Sequence, residues 1–165
     1  DPLDPDCTFG AIMNEAHLNK VLGYIELGKE QGADPILSGK QVLQETGGFY
    51  LSPTIFDQVD PNARIAQEEI FGPVLVIIPY DDEEDAIRIA NDSDFGLSGA
   101  VWSASEERSL AVARRIRTGT INVNGGIFYG ADAPFGGYKQ SGVGREMGRE
   151  GFEEYLETKT LAIGV

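Results

Sequence analysis

Residues 67–80 read QEEIFGPVLVIIPY, and this stretch decides how the rest of the sequence is interpreted. Its second half, residues 74–80, is an almost continuous apolar run, which is typical of a strand buried on both faces of a sheet. Its first half places two carboxylates, an aromatic ring and a Gly-Pro breaker in succession. Such residues suit the mouth of a site better than a hydrophobic core. We therefore predict a buried strand that is entered from a functional loop.

The sequence that follows this strand alternates helical and extended patterns. Residues 82–91 predict a helix and residues 99–102 a short strand. Residues 103–119 predict a second helix, which opens with a capping box at Ser103, and residues 120–124 predict another strand. A β-α-β-α-β order with helical spacers predicts right-handed crossovers. The expected fold class is therefore α/β, with a largely parallel sheet and flanking helices.

The sequence before this stretch is less regular. Asn14 is a suitable N-cap for a helix over residues 15–31, in which apolar residues recur at the helical period. Residues 35–38 predict a short strand. Residues 49–56 predict an edge strand or a broken strand, because Pro53 cannot donate a ladder hydrogen bond.

The sequence after residue 124 is rich in glycine. Residues 125–144 contain seven glycines, and a connection of this length is usually functional or disordered. Residues 145–157 predict a helix that Gly148 and Gly151 shorten or kink. Residues 158–165 alternate as a final strand, and an exposed strand at the end of a chain invites pairing with another chain.

Composition and charge argue against several classes of protein. The chain of 165 residues is 41% hydrophobic and 24% charged, which is typical of an ordinary globular protein. A net charge of -14 argues against nucleic acid and anionic membrane surfaces as partners, because phosphate binding requires clustered Lys and Arg. No apolar run is long enough to span a membrane, and no signal peptide pattern is present. The single cysteine, Cys7, favours a reducing, cytoplasmic setting.

Glu69 is the strongest single candidate for a ligand-binding residue. The Gly-Pro pair that follows it fixes the backbone, so its carboxylate can hold one direction and accept hydrogen bonds from the vicinal hydroxyls of a ribose. Phe71 lies on the same face if the chain is extended, and it could support a flat ring such as nicotinamide. The alternative is a solvated acid and a core phenylalanine in a loop before a strand. Residue chemistry alone leaves both open.

The glycine-rich segment is the second candidate. Phe128, Tyr129 and Phe135 could line an apolar funnel, since glycine lets the backbone approach a ligand closely. The alternative is a loop that is held in place by its own aromatic side chains. The glycines at 142 and 144 have neither the spacing nor the preceding strand of a phosphate-binding loop.

Cys7 and His17 do not predict a catalytic pair. Cys7 lies in a segment rich in Asp and Pro, where negative neighbours disfavour a thiolate, and His17 is a lone histidine on a helix. We interpret both as bystanders. No cluster of His, Cys, Asp and Glu has the spacing of metal ligands, so no metal site is expected.

Several blocks of the sequence are specific enough to compare with known families. They are Gly48-Phe49-Tyr50 with Pro53-Thr54, the run from Gln67 to Val74, Ala90-Asn91, Phe95-Gly96-Leu97, the run from Gly119 to Asn124, the run from Pro134 to Gly142, and Gly144-Arg145-Glu146. In this order and at this spacing, the blocks resemble the C-terminal part of the NAD(P)-dependent aldehyde dehydrogenase superfamily. The resemblance covers nearly the whole chain and implies the fold of that family's catalytic domain.

The resemblance implies a role for each candidate residue. By family pattern, Glu69 binds the nicotinamide ribose and Phe71 packs beside the nicotinamide of NAD, with NADP as the alternative cofactor. Tyr129 and Phe135 match positions that line the tunnel through which the aldehyde enters. Asn124 matches the residue that ends the strand beneath that tunnel.

The resemblance also concerns proton transfer and assembly. Glu146 matches a carboxylate that is linked to a proton relay, and Glu157 and Lys159 fall where interface contacts form. Residues 158–165 match the strand that joins the sheet of a neighbouring subunit, so a homo-oligomer is expected. The implied organisation is a partial catalytic domain over residues 1–157, followed by a C-terminal oligomerisation strand.

The parts of the family's machinery that the sequence lacks lead to a further expectation. The nucleophilic cysteine, the general-base glutamate, the pyrophosphate-binding segment and the oxyanion-hole asparagine would all lie before Asp1, and Cys7 does not match the nucleophile. The first methionine is Met13. We therefore expect a fragment, truncated at its N-terminus and inactive alone, of an enzyme that oxidises an aldehyde to a carboxylic acid through a cysteine thiohemiacetal and thioester. The alternatives are a standalone, non-catalytic chain that acts in assembly or binding, and a generic acidic α/β binding module.

Overall fold

The computed structural model describes residues 3–127 and 129–164. The chain falls into two compact units, Asp1–Pro79 and Tyr80–Val165. Each unit combines helices and strands, so the predicted α/β class is confirmed. Phe128, predicted to line the funnel, and Val165, predicted to end the final strand, lie outside the described residues.

The described part of the first unit combines two α-helices with five short strands. A 3-10 helix, Gln44–Thr46, lies between its second and third strands. In chain order the elements are α1 (Glu15–Glu30), β1 (Asp34–Leu37), β2 (Gln41–Val42), β3 (Tyr50–Leu51), β4 (Thr54–Asp57), α2 (Arg64–Gln67) and β5 (Val74–Val76).

Helix α1 begins where the sequence predicts. The side chain of Asn14 accepts a hydrogen bond from the backbone N–H of His17 at 2.9 Å, as expected of an N-cap. Leu18, Val21 and Ile25 recur at the helical period and are buried, and each such side chain contributes roughly 1.5–3 kcal/mol of hydrophobic stabilisation. The other buried members of this core are Ile12, Leu51, Phe56, Val59, Ile65 and Ile70.

Strands β1, β4 and β5 form a three-stranded sheet with β4 in the centre. Strand β1 is antiparallel to β4 and has an irregular register between Pro35 and Leu37, whereas β5 is parallel to β4. Strands β2 and β3 form a separate antiparallel pair. The extended segment predicted over residues 49–56 is therefore broken into β3 and β4, and Pro53 lies between them, as predicted.

The strand predicted over residues 74–80 is shorter than expected and is not buried on both faces. Strand β5 ends at Val76, although Ile77 still donates a backbone hydrogen bond to Phe56 at 2.8 Å. Leu75 and Ile77 are 57% and 41% exposed. Within the described residues one face of this segment is uncovered, so the prediction of full burial is wrong.

The second unit contains three helices and four strands in its described part. In chain order they are α3 (Glu83–Asp92), β6 (Phe95–Gly96), β7 (Ser98–Val101), α4 (Glu106–Ala113), β8 (Thr120–Val123), β9 (Tyr138–Lys139) and α5 (Gly148–Glu153). Strands β7 and β8 are parallel and are joined through α4, as the β-α-β pattern predicts. Strands β6 and β9 are antiparallel.

The sheets are small and mixed. Two of the strand pairs in the described residues are parallel, β4 with β5 and β7 with β8, and the other three pairs are antiparallel. The expected largely parallel sheet is therefore not what the described residues form. Strand direction depends on pairing between distant segments, which local periodicity does not specify.

Side chains at the N-cap positions mark the starts of helices α3 and α4 in the second unit. Helix α3 is capped by Asp82, whose side chain accepts a hydrogen bond from the backbone N–H of Asp85 at 2.9 Å, close to the predicted start. Helix α4 is capped by Ser105 rather than by Ser103, so the predicted capping box is wrong. The hydroxyl of Ser103 instead accepts a hydrogen bond from the backbone N–H of Ser105 at 3.3 Å.

The C-terminal segment contains one short helix. Helix α5 is short, as its glycines predict, and residues 158–164 form neither helix nor strand within this single chain. The predicted final strand pairs with a neighbouring subunit, so it stays a prediction. These residues have no partner strand within the described chain. None of the helices described here is long and apolar enough to cross a membrane.

Candidate functional site

The loop between α2 and β5 carries the first two candidate residues. Ile70 is buried and anchors the loop in the core of the first unit. Its neighbours Glu69 and Phe71 are both exposed, and the Phe71 ring is 73% exposed. The structure therefore presents an acid and a ring outward on either side of a buried anchor.

The two adjacent carboxylates of this loop have different surroundings. Glu68 accepts hydrogen bonds from Arg64 at 2.6 and 3.0 Å and from the Tyr24 hydroxyl at 2.7 Å. The Arg64 guanidinium first, and the Tyr24 hydroxyl second, hold the pKa of Glu68 below its usual value. The same hydrogen bond raises the pKa of Tyr24. Within the described residues the Glu69 carboxylate has no hydrogen bond or ion pair, so Glu69 is the carboxylate that is available to a ligand.

A local signal for this difference exists in the sequence. Arg64 and Glu68 are four residues apart around helix α2, which is the spacing at which side chains of opposite charge meet. Pairing Glu68 with Arg64 leaves Glu69 unpaired.

Helix α1 holds the backbone of the loop. The imidazole Nε2 of His17 lies 2.6 Å from the carbonyl oxygen of Phe71, and the two rings are 5.9 Å apart between centroids. The ammonium group of Lys20 donates a hydrogen bond to the carbonyl oxygen of Glu69 at 3.1 Å. Phe71 adopts a positive φ of 58°, which is unusual for a bulky residue.

His17 therefore makes a structural contact that the sequence did not predict, whereas its interpretation as a bystander in catalysis stays a prediction. Its partner lies 54 residues later, so no local pattern would have revealed the contact. Cys7 is exposed, and its thiol lies 3.6 Å from the carbonyl oxygen of Phe9. Nothing in the described residues makes Cys7 part of a pair with His17.

The second group of candidates lies in the second unit. The rings of Tyr129 and Phe135 meet edge to face, with centroids 5.6 Å apart and an interplanar angle of 77°. Phe135 and Glu146 exchange two backbone hydrogen bonds of 2.7 Å each. The structure thus brings together three residues to which the family resemblance gives roles in the tunnel and in proton transfer.

A cavity of about 240 Å³ lies beside this aromatic pair. Tyr129, Phe135 and strand β8 contribute to its wall. The volume is slightly below the range of about 300–1,000 Å³ typical of small-molecule sites. The cavity therefore suits a small substrate or one segment of a longer passage.

Asn124 is placed apart from this cavity. It follows the last residue of β8 with a φ of 48°, and its side-chain oxygen accepts hydrogen bonds from the backbone N–H of Ser103 at 2.8 Å and from the Ser109 hydroxyl at 3.2 Å. Ser109 is fully buried. The side chain of Asn124 therefore braces helix α4 against strand β8, and its role beneath a tunnel stays a prediction.

The remaining predicted residues are exposed. Glu146 is exposed next to its backbone pairing with Phe135. Glu157 and Lys159 are exposed and have no hydrogen bond or ion pair within the described residues. The same part of the chain holds no group of three or more His, Cys, Asp or Glu side chains arranged to bind a metal ion.

Comparison with known proteins identifies the family. The family model described as the aldehyde dehydrogenase family matches residues 1–161. The chain belongs to the aldehyde dehydrogenase family. The resemblance noted from the sequence is thereby confirmed for the family, whereas placement in its C-terminal part stays a prediction.

Curated members of the family are similar along nearly the whole chain. Geranial dehydrogenase from Castellaniella defragrans is 45% identical over 161 residues, which cover 98% of this chain and 33% of that protein. A 3-succinoylsemialdehyde-pyridine dehydrogenase from Pseudomonas is 48% identical and covers 98% of this chain and 34% of that protein. The chain therefore spans about a third of the length of the curated relatives that it matches.

Solved structures of family members share the fold. An indole-3-acetaldehyde dehydrogenase complexed with NAD+ has a TM-score of 0.91 and 49% identity, over 96% of this chain and 32% of that one. The Mycobacterium tuberculosis aldehyde dehydrogenase complexed with NAD+ has a TM-score of 0.86 and 47% identity, over 92% of this chain and 31% of that one. At this identity the likeness extends beyond the fold to the family.

Proposed function

We propose that this chain is the C-terminal part of an NAD+-dependent aldehyde dehydrogenase, with NADP+ as the alternative cofactor. In this proposal the chain positions the nicotinamide end of the cofactor and the aldehyde. Family membership gives the reaction class, and the observation that carries the proposal is the unpaired Glu69 carboxylate beside the exposed Phe71 ring. Relatives of known structure that bind NAD+ support the choice of cofactor.

The loop of the first unit fits the nicotinamide riboside part of the cofactor. The Glu69 carboxylate has only acceptor oxygens, which suits the two hydroxyls of a ribose, and charge-assisted bonds of this kind contribute about 1.5–3 kcal/mol. The Phe71 ring offers a flat apolar surface to the nicotinamide. When bound, NAD+ supplies the hydride acceptor of the reaction.

The aromatic pair of the second unit fits the aldehyde. Tyr129 and Phe135 line the passage through which the substrate enters, and the cavity beside them supports this role. In this proposal Asn124 ends the strand that lies beneath the passage. Glu146 takes part in a proton relay, for which its exposed carboxylate and its backbone pairing with Phe135 are the supporting observations.

The proposed reaction converts an aldehyde, NAD+ and water into a carboxylate, NADH and two protons. A cysteine thiolate attacks the aldehyde carbon to give a thiohemiacetal, oxidation leaves a thioester, and an activated water releases the acid. Backbone and amide donors stabilise the oxyanion. In this proposal the nucleophile, the general base and the pyrophosphate site come from residues outside this chain, and Cys7 is not the nucleophile.

Assembly forms a further part of the proposal. Leu161 and Ile163 are 77% and 92% exposed in a segment without a strand partner in the described chain. We place residues 158–165 as the strand that completes a neighbouring subunit's sheet in a cytoplasmic homo-oligomer, with Glu157 and Lys159 at the interface. The same exposed segment favours the second candidate function, a non-catalytic aldehyde-dehydrogenase-like chain that acts in assembly.

The two candidates differ in a measurable way. A protein that carries this chain together with a cysteine-bearing segment is expected to reduce NAD+ when given aldehydes, and the 165-residue chain alone is expected to show no turnover and to bind NAD+ weakly. The assay follows NADH formation with a panel of aliphatic and aromatic aldehydes. Turnover by the purified 165-residue chain would refute the assignment of the nucleophile and the general base to residues outside this chain. A longer protein that binds its own subunits but oxidises no aldehyde would favour the assembly function.

A further inference from the structure

Three polar side chains on one face of helix α1 reach the loop that carries Glu69 and Phe71. They are spaced at the helical period, so they lie in a row along the helix. Their bonds run from His17 to the Phe71 carbonyl oxygen at 2.6 Å, from Lys20 to the Glu69 carbonyl oxygen at 3.1 Å, and from Tyr24 to the Glu68 carboxylate at 2.7 Å.

The His17 contact identifies a nitrogen of the imidazole ring that carries a proton. A carbonyl oxygen only accepts hydrogen bonds, so Nε2 carries the proton in this contact. The other ring nitrogen, Nδ1, is buried and has no hydrogen-bond partner within the described residues. The geometry therefore places a proton on Nε2.

The Phe71 backbone needs such a contact. A non-glycine residue at a φ of 58° occupies a conformation that persists only where the surroundings hold it. The carbonyl of Phe71 is held by Nε2 of His17, and the two rings lie 5.9 Å apart. Behind the loop, Val21 lies so close to Gly72 that an added Cβ would come within 2.6 Å of its Cγ2 atom.

We propose that His17 is a positioning residue that holds Phe71 in its left-handed conformation and thereby directs the Phe71 ring outward. The ring is 73% exposed in this conformation, which is the state in which it can meet a flat ligand. The role in cofactor binding rests on the proposed function, whereas the role in backbone conformation does not. His17 acts through Phe71 and does not itself contact the reacting atoms.

Three variants separate this role from general stability. His17→Leu removes the donor and keeps a side chain of similar bulk, whereas His17→Gln keeps an N–H donor. Asn19→Leu is the matched control, because Asn19 is an exposed polar residue of the same helix. All three retain the Asn14 cap, which binds the backbone N–H of residue 17 and not its side chain. Circular dichroism verifies that helix α1 forms in each variant.

The first measurement uses nuclear magnetic resonance on the 165-residue chain. His17 is the only histidine, so its ring nitrogens give one set of signals. The expected result is a protonated Nε2. The Phe71 carbonyl-carbon shift is expected to move in His17→Leu and to stay unchanged in Asn19→Leu. A proton on Nδ1 alone, or a carbonyl shift that His17→Leu leaves unchanged, would overturn the proposal.

The second measurement uses the intact enzyme that carries this chain. Loss of one hydrogen bond predicts a roughly three- to tenfold rise in KM for NAD+ in His17→Leu, with KM for the aldehyde unchanged. His17→Gln is expected to recover most of the loss. Equal damage in both His17 variants, or an equal rise in KM for the aldehyde, would contradict a positioning role. Failure of the unmodified enzyme to use NAD+ would refute the proposed function and leave the carbonyl shift to decide the role of His17.

Discussion

Replacing Gly72 with alanine is expected to destabilise the first unit, because the new methyl group meets Val21. An ideal Cβ at Gly72 lies 2.6 and 2.8 Å from the two Cγ atoms of Val21 and 3.3 Å from its Cβ. Val21 is fully buried, and its branched side chain has little freedom to move aside. Overpacking of this kind costs about 1–3 kcal/mol.

An opposing effect reduces this cost. The backbone of Gly72 lies outside the left-handed region, so alanine restricts the unfolded chain and contributes about 0.4–1 kcal/mol of stability. The net expectation for Gly72→Ala is a loss of about 1–2 kcal/mol. Urea unfolding followed by circular dichroism measures the loss as a lower midpoint with an unchanged slope.

A double-mutant cycle tests the stated cause. Val21→Ala alone removes two methyl groups and leaves a cavity, at a cost of about 2–3 kcal/mol. In the double variant the new methyl group at position 72 enters the vacated space. The stability loss of the double variant is therefore expected to be about 1–2 kcal/mol smaller than the sum of the losses of the two single variants. Additive losses would refute the reasoning, since they would show that the two side chains do not compete for one space.

A control on the same helix has the opposite sign. Gly23 lies in α1, and a Cβ there would meet no atom within 4 Å. Gly23→Ala is therefore expected to stabilise the chain by about 0.8–1 kcal/mol through helix propensity alone. A loss of stability in this variant would show that any added methyl group disturbs α1. The loss in Gly72→Ala could then not be attributed to the contact with Val21.

The remaining predictions concern the charged and polar residues of the two units. Glu69→Gln is expected to raise KM for NAD+ in the intact enzyme by about tenfold or more, because a neutral amide accepts weaker hydrogen bonds from a ribose than a carboxylate does; a KM that stays unchanged would remove Glu69 from the cofactor site. Glu68 has a lowered pKa in the folded state because of Arg64, so the stability it contributes is present above its ordinary value near 4.5 and is lost as the pH falls through the folded-state value. The difference in urea midpoint between the unmodified chain and Glu68→Gln is therefore expected to shrink in acid, and a constant difference would contradict the assigned pairing. Asn124→Ala is expected to lower the free energy of unfolding by about 1–2 kcal/mol, because it removes the acceptor of Ser109 and places alanine at a positive φ. Asn124→Gly is expected to cost less, because glycine tolerates the positive φ. Thermal unfolding of the two variants compares their stabilities, and a less stable glycine variant would contradict the backbone argument.

Local signals in the sequence predicted the helix starts correctly where a single side chain decides them. Asn14 caps α1 as predicted, because an apolar pattern at the helical period follows it. For α3 the sequence left Asp81 and Asp82 as alternative caps, and the structure has Asp82. Two serines compete before α4, and Ser105 caps the helix. The Ser103 hydroxyl instead accepts a hydrogen bond from the backbone N–H of Ser105, and the Ser103 backbone N–H donates to the side chain of Asn124, which follows β8. That contact joins residues 21 positions apart, so a local rule could not resolve the choice.

Strand length and burial were predicted less well, since both depend on which segments become neighbours. The apolar run after Gly72 indicated a strand with two covered faces, yet Leu75 is 57% exposed in the described structure. An apolar residue type indicates that a side chain can be buried. Whether it is buried depends on which segments pair and pack against it. The pairing of Phe135 with Glu146 is likewise a property of the folded loop, although both residues were candidates from the sequence.

The loop of Glu69 and Phe71 is organised by contacts from one helix, and this has a consequence for binding. Helix α1 supplies the hydrogen-bond donors to both carbonyl oxygens and the side chain that packs against Gly72, so the loop acquires its conformation when the first unit folds. A ligand that meets a loop already held in place does not bear the entropic cost of ordering it. Changes that loosen α1 against the loop are therefore expected to weaken the cofactor site proposed at Glu69 and Phe71.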